Sequence, residues 1–163
     1  MDPLKKQYAA GEVARCLVKI ANDQVVDRNP ETGETVYEGI TNLKLQKILY
    51  FAQAAHLALF DKPLFEDEIQ AWKYGPVVPS VYNIFKQYNA DFIPASDGDC
   101  VDDKLHDFLM EVWDIFGKYS TAELVHLSHQ HDPYKDVYSD TLRNIVISPE
   151  SMKKFYKTMF RTK

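Results

Sequence analysis

Asn42-Leu43-Lys44-Leu45-Gln46-Lys47-Ile48-Leu49-Tyr50-Phe51-Ala52-Gln53 opens a stretch that stays apolar on nearly every helical face to about Phe60. Leu45, Ile48, Leu49, Ala52, His56 and Leu59 trace one face, and Leu43, Tyr50, Ala54 and Leu57 fill much of the remainder. A helix apolar all round belongs in the middle of a domain, so this segment predicts a central helix. Thr41 or Asn42 is placed to cap it. Lys44 and Lys47, at i and i+3, predict a solvated edge. Gln46, Tyr50 and Gln53 form a polar stripe that must find partners once buried. They either satisfy the irregular backbone around Gly75-Pro76 or border a groove and bond a bound peptide or protein.

The next informative stretch is Trp72-Lys73-Tyr74-Gly75-Pro76-Val77-Val78-Pro79-Ser80-Val81-Tyr82. Ile69 to Tyr74 reads as a short strand, with Gln70, Trp72 and Tyr74 on one side. Gly75-Pro76 re-aims the backbone, and Pro79 suits the first position of a helix that continues to about Tyr88. Upstream, Val13, Leu17 and Ile20 predict a helix from Ala10 to Asn22. Residues 24–38, with Asn29-Pro30-Glu31-Thr32-Gly33 at their centre, predict a surface β-hairpin. Downstream, Leu105 to Phe116 predicts an amphipathic helix. Ser120-Thr121-Ala122-Glu123 is a capping-box pattern that opens another, ending near His131. Ile145-Val146-Ile147 predicts a small strand pairing with residues 69–74, and Ser148-Pro149 starts a last helix. The expected fold is mainly α. It is a single compact helical domain of about six helices spanning 1–163, with a small β element and a hairpin insertion at about 23–40.

Length and composition suit one globular domain: 163 residues, 45% hydrophobic and 13% aromatic. A net charge of −5 is the wrong sign for phosphate neutralisation, so nucleic acid is not the expected partner. Charge is uneven, with eight acids and one lysine over Asp91–Asp114 and five bases and one acid over Ser148–Lys163. Both runs read first as solvated faces. Cys16 and Cys100 are too few for a disulfide framework, and Cys16 reads as a small core residue. The first seven residues lack the apolar stretch of a signal peptide, and no run reaches the ~18 apolar residues of a membrane span. The expected location is cytoplasmic, away from any membrane.

His126, His129, His131 and Asp132 cluster in sequence, and 126 and 129 share one helical face, as metal-binding histidines can. Glu123 does not stand at the spacing of an established helical zinc motif, however. No nucleophile elbow, phosphate loop or paired-carboxylate arrangement is present. The expectation is therefore not an enzyme, with no catalytic residues, no metal and no cofactor.

Asn42 to Gln53, Lys62-Pro63-Leu64-Phe65, and Ala71 to Pro79 with Val81-Tyr82 resemble, in order and spacing, the SocA-like antitoxin family, or Panacea domain. Many of its members carry the label phage-associated protein. Leu127-Ser128-His129 with Pro133-Tyr134 looks like a later motif of that family, in which Trp is expected at position 134. The resemblance implies a helical type II antitoxin that neutralises a co-encoded protein toxin by direct binding. The alternative it implies is an adaptor delivering the toxin to a ClpXP-type AAA+ protease. A metal-dependent enzyme built on His126, His129 and His131 is the more distant alternative. The residues expected to touch the partner border the two motifs: Lys44, Lys47, Tyr50, Trp72, Tyr74 and Tyr82.

Overall fold

The computed structural model describes Leu4 and residues 6–160. Its axis is α2 (Asn42–Phe60), in which 16 of 19 residues are buried. Thr41 caps it, its hydroxyl oxygen accepting from the Lys44 N–H at 3.3 Å. Around it pack α1 (Ala10–Asp23), α3 (Pro79–Phe85), α4 (Asp103–Phe116), α5 (Thr121–Gln130) and α7 (Pro149–Met159), with α7 making the most extensive contact. Phe51 stacks on Phe116 of α4 with ring centroids 4.5 Å apart, and packs edge-on to Tyr156 of α7. Such aromatic pairs each add to simple burial.

The helix boundaries follow local chemistry. At α5 the Ser120 hydroxyl accepts from the Glu123 N–H while the Glu123 carboxylate accepts from the Ser120 N–H. These are the two halves of the capping box read in the sequence. Ser148 caps α7 and Pro149 occupies its first turn. Asp102 caps α4 and also accepts from the Tyr8 hydroxyl at 2.6 Å. One turn, α6 (Asp132–Lys135), adds a seventh α-helix to the six expected. Its Pro133 sits in the first turn, where a missing N–H costs nothing, so a new helical turn starts directly after α5 ends.

The β structure agrees with expectation in topology and differs in where it turns. β3 (Gln70–Trp72) is the middle strand of a three-stranded antiparallel sheet, between β4 (Gly75–Val77) and β5 (Ile145–Val146). Pairing runs Gln70 to Val77, Ala71 to Pro76 and Trp72 to Gly75, with Ala71 opposite Ile145 on the other side. The chain therefore reverses at Lys73-Tyr74, not at Gly75-Pro76, and the strand expected to reach Tyr74 ends at Trp72. Gly75 is already on the returning strand at φ +109°, a conformation open to glycine. A Cβ there would stand 2.8 Å from Lys47 Cε. Tyr74 is thus freed from the strand alternation and sits at the tip.

The hairpin of β1 (Val25–Arg28) and β2 (Thr35–Tyr37) forms where expected, and every strand residue except Thr35 is exposed. The Glu38 N–H donates to the Gln24 carbonyl at 2.8 Å and closes its base. Cys16 lies in the core as expected, but not as a lone thiol: it is bonded to Cys100, 84 positions away. The loop before α4 crosses α1 closely there, with the Asp99 N–H donating to the Arg15 carbonyl and a Gly98 Cβ meeting Lys19 backbone at 2.7 Å.

The basic run of the last helix is partly paired, since Lys153 and Lys157 lie 3.3 and 2.9 Å from the Asp61 carboxylate at the end of α2. Residues 161–163 at its end, and residues 1–3 and 5 of the N-terminal stretch, lie outside the described residues. No helix among the described residues is long and apolar enough to cross a membrane.

Candidate functional site

The two sequence motifs meet inside the protein. Gln46 Oε1 accepts from the Val78 N–H at 2.9 Å, while Gln46 Nε2 donates to Asn42 Oδ1. Lys47 Nζ donates to the Pro76 carbonyl at 2.9 Å. Both bonds hold β4 and the start of α3 against α2. Gln53 does similar work one stretch away, donating to the Phe65 carbonyl and accepting from the Leu64 N–H. The polar stripe of α2 is therefore a set of braces, and Gln53 braces Leu64-Phe65 instead of the Gly75-Pro76 region.

Three residues expected at the contact surface are inside. Lys44 is 7% exposed, its ammonium donating to the Gly117 carbonyl at 2.9 Å, 3.5 Å from Glu38 and over the Trp113 ring. Lys47 is wholly buried, and desolvation pulls its pKa down to about 7. Tyr50 is wholly buried, accepting from the Tyr156 hydroxyl, which itself pairs with His131 Nδ1. The edge predicted to be solvated is covered by α4, α5 and β4. A lysine stem is apolar enough to be swallowed where backbone carbonyls wait for its head.

Trp72, Tyr74 and Tyr82 have a different placement. With Leu43, Val77 and Lys86 they line an open groove of about 350 Å³ between the start of α2, the β3–β4 tip and α3. Trp72 packs edge-on to Tyr82 at 5.1 Å, and its indole N–H donates to Gln70 Oε1. Tyr74 is 60% exposed and Leu43 40%. Lys73 Nζ sits 5.5 Å from the Tyr74 ring centroid. Below the tip, the buried Tyr134 hydroxyl donates to the Trp72 carbonyl and so fixes the turn from beneath. Leu43 and Lys86 were not among the residues expected at the site. The spacing carried a signal for Lys86, four residues after Tyr82 on the same helical face. Leu43 was hidden in the general apolarity of α2.

The histidines diverge. His126 is exposed, His129 stacks on Tyr134 at 4.5 Å, and His131 turns inward to Tyr156. Among the described residues no three His, Cys, Asp or Glu side chains converge on a point where a metal could sit. Desolvation lowers the pKa of half-buried His129 and of buried His131.

Residues 45–135 match the family model described as Antitoxin SocA-like, Panacea domain. That range holds α2 from Leu45 onward, the β3–β4 hairpin, α3 and everything through α6. The chain is 34% identical over 103 residues to the protein named Antitoxin SocA of Caulobacter vibrioides (strain NA1000 / CB15N), an alignment covering 55% of each. The chain therefore matches about half the length of that relative. No solved structure matches.

Proposed function

The chain belongs to the SocA-like Panacea antitoxin family, and from that premise we propose that it is the antitoxin of a toxin–antitoxin pair, holding a co-encoded protein toxin by direct contact. The observation that carries this reading is the groove in which exposed Tyr74, at the tip of a braced turn, stands beside half-buried Trp72 and Tyr82, all three within the family-matched range. Trp and Tyr are the side chains that most often anchor protein interfaces. A turn fixed by Lys47, Gln46 and Tyr134 presents them with little entropy left to lose on binding. The interior of α2 gives this face its shape and supplies none of its contacts. Residues 1–163 act as one unit in this reading, with the β1–β2 hairpin as an added element beside the family core.

The test is co-expression. The product of the adjacent gene should arrest growth when expressed alone, and this chain should restore growth while forming a complex that survives purification. A toxin that stays abundant and bound supports neutralisation by contact. A toxin level that falls only when a AAA+ protease is present supports the adaptor mode. Rescue with neither a complex nor a fall in toxin level contradicts both.

A further inference from the structure

We infer that the Trp72–Tyr82 groove takes an acidic, apolar segment of the partner protein, an inference that rests on the proposed antitoxin reading. Its floor is apolar, from Leu43, Val77, Trp72 and Tyr82, and its rim carries Lys73 and Lys86 with no carboxylate in the lining. Both lysines are exposed, and neither has an ion-pair partner among the described residues. This runs against the composition of the chain, in which 24 acidic residues outnumber 19 basic ones.

The two larger grooves do not share the feature. The one on the other side of the β3–β4 tip, which shares Trp72 and Lys73, adds Asp140 to Lys73 and Arg143, and the one between α6 and α7 sets Asp132 and Asp136 beside Lys154. Among the described residues, the groove holding the aromatic anchors is the one that combines an apolar floor with a purely basic rim; a smaller cavity edged by Glu66, Asp67 and Glu68 is purely acidic. An apolar side chain of the partner would fill the floor, and flanking Asp or Glu would meet the two ammonium groups. Such rim pairs add specificity and association rate more than affinity. A nucleic acid is the disfavoured occupant, because the chain is net negative and a dense acidic run begins at Asp91, one residue beyond the groove-lining Ala90.

The experiment selects peptides from a phage-displayed random library on the full chain, with Tyr74→Ala as the counter-selection. The recovered peptides should place Asp or Glu beside Leu, Phe or Trp. Their binding should weaken about tenfold from low to high salt, and by at least as much in a Lys73→Glu/Lys86→Glu variant with an unchanged circular dichroism spectrum. Recovery of basic or uncharged peptides, no enrichment, or tighter binding of a labelled single-stranded oligonucleotide than of any peptide would overturn the inference. Co-expression rescue separates this failure from that of the function itself. If the neighbouring toxin is still neutralised and Tyr74→Ala still abolishes rescue, the face is right and only the occupant's chemistry is wrong.

Discussion

Lys47 Nζ lies 2.9 Å from the Pro76 carbonyl oxygen, in a place closed to solvent, and with this bond the central helix grips the strand that carries the groove. Lys47 has no carboxylate partner among the described residues. An ammonium left uncompensated in the interior loses its hydration, which pulls the pKa to about 7. The bond itself survives deprotonation, since a neutral amine still donates.

The pH dependence of stability follows in sign. Between pH 7 and about 10 the unfolded chain binds a proton at Lys47 that the folded chain does not, so stability rises with pH through that window. Below pH 7 both states carry the proton and the cost is fully present. Urea melts at pH 7 and pH 9 should show the rise, on the order of a few kcal/mol at most. Lys47→Met should remove it. The range stops short of the region above pH 10, where buried Tyr50 and Tyr156, whose pKa values are raised by burial, act in the opposite direction.

Tyr134→Phe should loosen the groove without unfolding the protein. The ring and its stacking on His129 and Tyr138 remain, while the donor to the Trp72 carbonyl is lost. The expected loss of stability is about 1 kcal/mol by chemical denaturation. Amide exchange should rise over residues 72–75 and not in α2.

Cys16 and Cys100 should be unreactive to a thiol reagent in protein purified without reductant, even when unfolded, and both should react after reduction. Closing a loop of 84 residues constrains the unfolded chain, so Cys100→Ser should cost up to about 4–5 kcal/mol relative to the oxidised protein. Cytosol disfavours such bonds. In a reducing compartment the chain would therefore lack this stabilisation.

Much of the helical framework was legible because it rests on local signals: the capping box at Ser120 and Glu123, Pro149 after Ser148, and the all-round apolarity of α2. The candidate site was legible only in its exposed half. Trp72, Tyr74 and Tyr82 announced themselves as aromatics beside a turn, and they share one groove. Lys44 and Lys47 misled because a lysine reads as surface unless its acceptor is known. Those acceptors are the carbonyls of Gly117 and Pro76, 73 and 29 positions away. The Cys16–Cys100 pair was hidden for the same reason of distance. The turn at Lys73-Tyr74 was misplaced because Gly75-Pro76 is the stronger turn signal, and here glycine serves a close approach to Lys47.

Excising residues 25–37 and joining Gln24 to Glu38 through a short glycine link should leave the fold intact. The hairpin strands are almost wholly exposed, and the Gln24 carbonyl already meets the Glu38 N–H at 2.8 Å. The melting temperature should shift by only a few degrees, as for other surface changes. If the excised protein still folds but no longer neutralises the toxin, the hairpin contributes to partner choice.

The central claim is that the exposed aromatic groove, not the buried residues of α2, meets the partner. Its most direct test is the dissociation constant of the purified complex with the adjacent gene's product, measured by calorimetry for the unaltered chain and for Tyr74→Ala. Tyr74 is 60% exposed at the tip of the turn, so its truncation leaves the core untouched. The account predicts a loss of affinity of at least about tenfold at unchanged melting temperature. An affinity equal to that of the unaltered chain would contradict it.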